Sequence, residues 1–263
     1  MIDFYTPISA FWDKMTEENR AKALDRLPDI KGLLCYTFPY LAEKRDGNIS
    51  LYARGRDYHK VVGAKLLEYC RALSEKYPQN SFIPYVDVSP FPEVYAAAAS
   101  GLGKLGKNGL LITEKYGSFV FIGVIATNLE LEQSGKIEGC IGCNRCVSAC
   151  PTRALAKVPF NKDSCLSEIT QKKGELSSDE KALMKRQNTA WGCDICQLVC
   201  PMNEKAAKTD IAEFETELIE SLYSGDLQES NKTIQKKYAD RAFIWRGGGV
   251  LRRNTEILEK DGE

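Results

Sequence analysis

Residues 139–151 read GCIGCNRCVSACP, with Cys140, Cys143, Cys146 and Cys150 followed by Pro151. The spacing is C-x-x-C-x-x-C-x-x-x-C-P. In bacterial ferredoxins this run wraps one [4Fe–4S] cubane with three thiolates and sends the fourth to a second cluster. An incomplete run follows in WGCDICQLVCP, giving Cys193, Cys196 and Cys200 before Pro201, and Cys165 lies alone between the two runs. Four ligands per cluster make two complete sites from these cysteines. The short spacings assign Cys140, Cys143 and Cys146 with Cys200 to the first, and Cys150, Cys165, Cys193 and Cys196 to the second. Each cysteine ahead of a proline crosses over, because proline stops the helix and lets the thiolate leave its own loop. Zinc is the weaker reading, since four-thiolate zinc sites are built from paired C-x-x-C knuckles. Disulfides would need an oxidising compartment.

Working outward, the chain of 263 residues is long enough for one large or two modest domains. Hydrophobic residues make up 43% and charged ones 27%, as in ordinary globular proteins. Lys plus Arg and Asp plus Glu are 36 each, so global charge gives no argument for nucleic acid and leaves only a local basic patch to consider. The opening MIDFYTPISAFWDKM has no basic n-region and does not read as a signal peptide. The apolar run Phe119–Ala126 is too short to span a bilayer. Thiols kept as cluster ligands fit a reducing cytoplasm.

Ahead of the cysteines, residues 13–28 are helical in composition, and Lys31–Tyr40 reads as a buried strand in which Cys35 is a core thiol. Residues 43–57 are polar and turn-rich. Tyr58–Tyr77 has Val62, Leu66, Tyr69 and Leu73 at helical spacing, with Cys70 packed inside and His59, the one histidine, as a surface or capping group at its start. SFIPYVDV predicts a second strand with Asp87 at its carboxyl end, a place where α/β proteins put reacting groups. The bland alternative for Asp87 is a turn aspartate. A helix over Val94–Ser100 follows. GLGKLGKNG contains G-x-G-x-x-G at Gly101, Gly103 and Gly106, but it follows a helix and opens a strand, the reverse of a dinucleotide fingerprint. Those glycines are read instead as letting the backbone lie flat against a bulky ligand. Leu110–Thr113 and Ser118–Thr127 predict a hairpin. After the cysteines, Ile211–Tyr223 is a helical pattern. Arg241, Arg246, Arg252 and Arg253 gather near Trp245, either as a solvated helical hairpin or as a phosphate-contacting patch.

LYARGRDYHKV, YVDVSP, GLGKLGKNGLLI, GSFVFIG, the double cysteine set and WRGGGVLRRN together resemble the epoxyqueuosine reductase family, from about Arg20 to Asn254. The resemblance implies an α+β chain in three segments. Residues 1–132 would be a mixed α/β cobalamin-binding domain, 133–204 a ferredoxin-like double [4Fe–4S] domain, and 205–263 a short helical tail resembling the start of a helical-repeat region. It implies a cytoplasmic, monomeric oxidoreductase that reduces epoxyqueuosine to queuosine in the anticodon region of tRNA. Electrons would come from an external low-potential donor, with no membrane partner. Asp87 takes the position of the family's proton donor and a corrin contact. Further corrin contacts fall on Arg20, Ser50, Leu111, Ser167, Asp194 and Ile195, which puts the corrin edge beside the cluster of Cys150, Cys165, Cys193 and Cys196.

The chain departs from the family pattern in two places: Val94 follows Glu93 where a basic residue is usual, and the chain ends at Glu263, barely into the first repeat. These motivate a second expectation, a corrinoid-dependent reductase of a smaller substrate on the same scaffold. A third is a two-cluster electron carrier without catalysis, for which the long stretch ahead of Cys140 has no use.

Overall fold

The computed structural model describes residues 4–43, 46–156 and 160–260; the ends of the chain and Lys44 and Arg45 of the turn-rich stretch lie outside the described residues. The chain forms two compact units. One comprises Met1–Pro39, Tyr58–Gly142 and Lys205–Ala207; the other comprises Tyr40–Asp57, Cys143–Glu204 and Lys208–Glu263. These units do not follow the three consecutive segments expected from the sequence. The segment Tyr40–Asp57 and nearly all of the tail join the cysteine region, because Ile49, Trp191, Leu222 and Leu227 share one apolar core.

The first unit runs β1 (Tyr5–Pro7), α1 (Glu17–Arg26), β2 (Gly32–Pro39), α2 (Tyr58–Lys76), β3 (Phe82–Val86), α3 (Glu93–Ala99), β4 (Lys104–Leu105), β5 (Leu111–Ile112) and β6 (Val120–Thr127). Its main sheet has the order β1-β2-β6-β3, antiparallel at every step. Helix α2 crosses from β2 to β3, leaving a gap that β6 fills. Strand alternation then sorts the two faces. Leu33, Cys35, Val124 and Ala126 pack with Ala96, Ala97 and Ala98 of α3. Tyr36 and Phe38 point the other way, onto Tyr69 of α2. Gly123 lies under α2, where a Cβ would come within 2.9 Å of Leu66 and 3.1 Å of Val62, so the missing side chain lets the helix sit close.

Three expectations are corrected in this unit. The rule placing reacting groups at strand ends belongs to parallel sheets, whereas this sheet is antiparallel. The hairpin of Leu110–Thr113 with Ser118–Thr127 reduces to one bridge between Thr113 and Gly117: β5 pairs with β4, and β6 with β2 and β3. The glycines of GLGKLG face this chain's own backbone. A Cβ on Gly103 would lie 2.6 Å from the Ile112 carbonyl oxygen, and one on Gly106 3.0 Å from that of Leu110.

The second unit is built of short helices: α4 (Arg145–Ala149), α5 (Leu166–Gln171), α6 (Ser178–Arg186), α7 (Ile195–Leu198), α8 (Ala212–Glu215), α9 (Asn231–Lys237) and α10 (Gly248–Glu259). Helix α6 carries a capping box between Ser177 and Glu180. Helix α10 contributes Val250 and Leu251 to the Trp191 core and Ile257 to a second core with Leu166, Ile169 and Met184. Fully buried Asn254 ties these parts together, donating to the carbonyls of Thr170 at 2.7 Å and Ala190 at 2.8 Å. The helical pattern over Ile211–Tyr223 condenses to the single turn of α8; the rest is irregular. Three of the four arginines considered for phosphate point at backbone. Arg241 donates to the Arg54 carbonyl, Arg252 to those of Leu227 and Glu229, and Arg253 to those of Lys172 and Gly174. Arg246 instead lies over the Trp245 ring, 3.6 Å from its centroid.

Candidate functional site

In the first unit the chemistry gathers around Asp87, which follows β3 directly. Its φ of 60° puts it in the left-handed region, uncommon for a residue with a side chain and frequent at functional turns. Val88 donates to the Val86 carbonyl at 2.7 Å and Ser89 to the Asp87 carbonyl at 2.9 Å, so the chain doubles back tightly. The turn aims the carboxylate at the start of α2. There the Tyr58 hydroxyl donates to Oδ2 at 2.8 Å, and His59 Nε2 stands 3.3 Å from the same oxygen. Tyr58 is itself fixed between rings, stacked on Phe121 at 4.3 Å and on His59 at 4.0 Å. The side chain of Asp87 remains 59% exposed, which leaves it open to a substrate.

Behind the turn lies a second carboxyl. Glu93 opens α3, and burial pushes its acid up to about 7, with the charge of Asp87 adding to the rise. The nearby Ser89 hydroxyl and Asp87 N–H act in the opposite direction. Its Oε1 is buried with no hydrogen-bond partner. The far side of the same loop is anchored by Phe91, packed edge-on against Phe11 and Tyr85.

The eight candidate cluster cysteines divide between the two units, with Cys140 in the first and the other seven in the second. Cys140 donates its N–H to the Leu105 carbonyl at 3.0 Å. In the second unit, burial pushes the Cys193 thiol up to about 12, and the nearby Cys165 and Cys150 add to the rise. These three members of the expected second set are therefore neighbours. Cys150 shifts downward: burial opposes this, but the Thr152 hydroxyl and the N–H groups of Leu155, Thr152 and Ala154 together prevail. Such a ring of donors suits a thiolate ligand. Helix α4, which holds Cys146, packs against α7, which holds Cys196. Among the described residues, no three His, Cys, Asp or Glu side chains converge on a site for one metal ion.

Beside Cys193 the second unit opens a cavity of about 310 Å³, lined by Ser50, Arg54, Leu166, Asp194, Ile195 and Leu198 among others. Asp194 Oδ1 accepts from the Ser50 hydroxyl at 2.6 Å and Oδ2 from the Leu51 N–H at 2.8 Å. Burial raises its acid, against these two bonds and the Arg54 guanidinium. Gly192, at φ 75°, allows the close approach, since a Cβ there would lie 2.5 Å from that of Ser50. The lining thus sets the paired Ser50 and Asp194 beside the apolar Ile195 and Leu198.

Of the expected corrin contacts, Ser50, Asp194 and Ile195 come together in this cavity. Ser167 lies on α5 and accepts from Gln171 through its carbonyl at 3.0 Å. Arg20 and Leu111 belong to the first unit. Arg20 donates to the Trp12 carbonyl at 3.0 Å, and the Leu111 side chain is buried in the α3-side core, which leaves only its backbone for a ligand. The sequence reading missed Tyr58 and Glu93, and took His59 for a bystander. The signal available was Tyr58-His59 at a helix start, although the aspartate they meet stands 29 residues from Tyr58.

Two family descriptions match the chain. Residues 20–88 match "Epoxyqueuosine reductase QueG, DUF1730", and residues 139–203 match "4Fe-4S double cluster binding domain". An epoxyqueuosine reductase of Lactococcus garvieae is 36% identical over 221 residues, 82% of this chain and 62% of its own length. That of Synechocystis sp. is 33% identical over 261 residues, 92% of this chain and 88% of its own. The chain spans less than two thirds of the length of several such relatives. A solved epoxyqueuosine reductase with an epoxyqueuosine-modified tRNA-Tyr stem loop superposes with a TM-score of 0.82, at 24% identity, covering 97% of this chain and 76% of that one. One from Bacillus subtilis, with its catalytic aspartate loop swung out of the active site, gives 0.77 at 28% identity, covering 89% of this chain and 66% of that one. Among the described residues no helix is long and apolar enough to cross a membrane.

Proposed function

Because the chain belongs to the epoxyqueuosine reductase family, sharing 33% identity with a relative it covers to 88%, we propose that it reduces epoxyqueuosine to queuosine in tRNA with Asp87 as proton donor. The observation that carries this reading is the Asp87 turn, an exposed carboxyl in a strained left-handed conformation that meets the Tyr58 hydroxyl and the His59 ring on one oxygen. The relative whose catalytic aspartate loop swings out of its active site supports a working role for such a loop. The reaction removes the epoxide oxygen as water and leaves an alkene, which requires two electrons and two protons.

Cobalamin and the two [4Fe–4S] clusters, when bound, supply the electrons and a low-valent metal, a chemistry no side chain offers. Ser50, Asp194 and Ile195 would hold a corrin edge. Cys150, Cys165, Cys193 and Cys196 would ligate the nearer cluster, and Cys140, Cys143, Cys146 and Cys200 the other. The chain's own residues handle the protons. Asp87 gives one to the departing oxygen; the Tyr58 hydroxyl, donating to Oδ2, stabilises the carboxylate left behind. His59, on the same oxygen, is placed to return a proton from solvent.

The test is anaerobic reconstitution followed by a visible spectrum and turnover on an epoxyqueuosine-modified tRNA stem loop. Retained cobalamin with loss of the epoxide is the expected result. Binding of iron and sulfide alone would leave an electron carrier. A second reading, a free small substrate, draws on the engagement of Arg241, Arg252 and Arg253 with backbone carbonyls, and turnover of the free nucleoside but not the stem loop would select it.

A further inference from the structure

Helix α5 runs from one candidate ligand of the second cluster to the neighbour of another. At its start Cys165 is the N-cap, and its carbonyl accepts the first helical bond, from the Ile169 N–H at 2.9 Å. In its last turn Thr170 is fully buried. The Thr170 hydroxyl donates to the Ser167 carbonyl at 2.8 Å, and its oxygen accepts from the Gly192 N–H at 3.0 Å. Gly192 directly precedes Cys193. The Gly192 carbonyl, in the peptide that leads into Cys193, accepts from the Thr189 hydroxyl at 2.8 Å. Cys193 itself packs against the core that holds Leu166 and Ile169 of the same helix.

Helix formation does not account for Thr170. Threonine is a poor helix former, and a hydroxyl that turns back onto the preceding turn competes with the backbone ladder. What it supplies is an acceptor for a buried N–H outside the helix, a group that needs a partner. A second tie runs beside the first. The Asn254 amide donates both to the Thr170 carbonyl at 2.7 Å and to the Ala190 carbonyl at 2.8 Å. The end of α5 is thus joined twice to the short stretch that delivers Cys193. That stretch turns sharply where it is held, with Gly192 at φ 75°.

We propose that α5 is a strut that sets the spacing of Cys165 and Cys193, with Thr170 as the positioning residue that fixes its far end to Gly192. The consequence for the cluster rests on the reading of both cysteines as its ligands; the tie itself does not. Thiolates held at the separation a cubane requires spare the cost of ordering them as it binds. Groups that orient a metal ligand from behind are worth on the order of 10- to 100-fold in affinity or activity. Losing the hydroxyl frees Gly192 and loosens Cys193, while Cys140, Cys143, Cys146 and Cys200 are left as they were.

The experiment follows anaerobic iron release to a chelator from the holoproteins of wild type, Thr170→Val, Thr170→Ser and Ile234→Val, with the electron paramagnetic resonance spectrum of each. Thr170→Val keeps the branched shape and deletes the hydroxyl. About half of its iron should leave about 10-fold faster or more, with the signal that Cys165→Ser removes shifted and the signal that Cys143→Ser removes unchanged. Thr170→Ser keeps the hydroxyl and should release iron within about twofold of the wild-type rate. Ile234→Val loosens the Trp191 core of the same unit instead and should leave the release unchanged. Release from Thr170→Val at the wild-type rate overturns the strut. So does equal acceleration in Ile234→Val, in Thr170→Ser or in both halves of the iron, which would report general softening or lost packing. If Thr170→Val does not fold, amide exchange in the wild-type holoprotein decides alone. Protection at Gly192 matching that at Ala190, which donates to the Asn48 carbonyl at 2.8 Å, upholds the tie, and exchange at the rate of an unbonded amide overturns it. Full iron retention by Cys165→Ser would sink the ligand reading instead, and exchange at Gly192 would still decide the tie.

Discussion

Replacing Glu93 by Gln should make the protein more stable as the pH rises, relative to wild type. Burial holds the Glu93 acid at about 7 in the folded chain, against an ordinary value of 4.5. Between these values the folded state keeps a proton that the unfolded state has released. The unfolded state therefore binds fewer protons, and stability falls as pH rises through the window. Below about 4.5 both states are protonated and the penalty vanishes; above about 7 it is fully present. At 1.36 kcal/mol per unit, the penalty grows by roughly 2 kcal/mol between pH 5.5 and pH 8. Gln carries no titrating proton, so the wild-type and variant stability curves should diverge by that amount across the interval. The amide adds a buried donor beside a position with no partner, a constant offset that leaves the divergence untouched. Anaerobic urea unfolding of the holoprotein at half-unit pH steps measures it. Repeating the series in an Asp87→Asn background should narrow the divergence, since the Asp87 charge helps to raise Glu93. Parallel curves for wild type and variant would refute the reasoning, because they would mean Glu93 titrates alike folded and unfolded.

Asp87→Asn should reduce kcat by about 100-fold or more while cobalamin and both clusters stay bound; undiminished turnover removes Asp87 from the chemistry. Tyr58→Phe keeps the stack on Phe121 and deletes the 2.8 Å bond to Asp87, so a fall in kcat of roughly tenfold is expected. Cys165→Ser and Cys143→Ser should each remove about half of the bound iron after reconstitution, with electron paramagnetic resonance losing a different signal in each; loss of the same signal from both would break the ligand assignment. Asn254→Ala leaves two buried carbonyls without their donor and should destabilise the second unit by about 2–3 kcal/mol in chemical denaturation. Arg253→Ala should likewise cost stability and leave the salt dependence of tRNA binding unaltered; a shallower salt slope would make it a phosphate contact after all.

The parts legible in the sequence were those set by local spacing. The helix predicted over Tyr58–Tyr77 forms as Tyr58–Lys76, and the strand over Lys31–Tyr40 as Gly32–Pro39, because period and proline punctuation are read within a few residues. The apparent hairpin failed for the opposite reason. Leu110–Thr113 and Ser118–Thr127 are adjacent strands with a turn between them, but β6 is apolar enough on both sides to be claimed by two distant partners. The arginines near Trp245 misled in a related way. A cationic side chain looks the same in sequence whether it meets a phosphate or caps a carbonyl across 79 residues.

Glu93 sharpens the point about the site. In PFPEV it reads as an acidic first residue of a helix, the place where carboxylates are commonest and least informative. What distinguishes it is burial: one carboxyl oxygen lies inside without a partner, close enough to Asp87 to feel its charge. A motif such as YVDVSP marks where an aspartate stands. The strain that aims the aspartate, and the acid buried behind it, belong to no motif and arise only once β3, the loop and α3 are folded. The position proposed for catalysis is thus a property of one reverse turn, and the stability that Glu93 withholds at neutral pH is the measurable trace of the acid buried behind it.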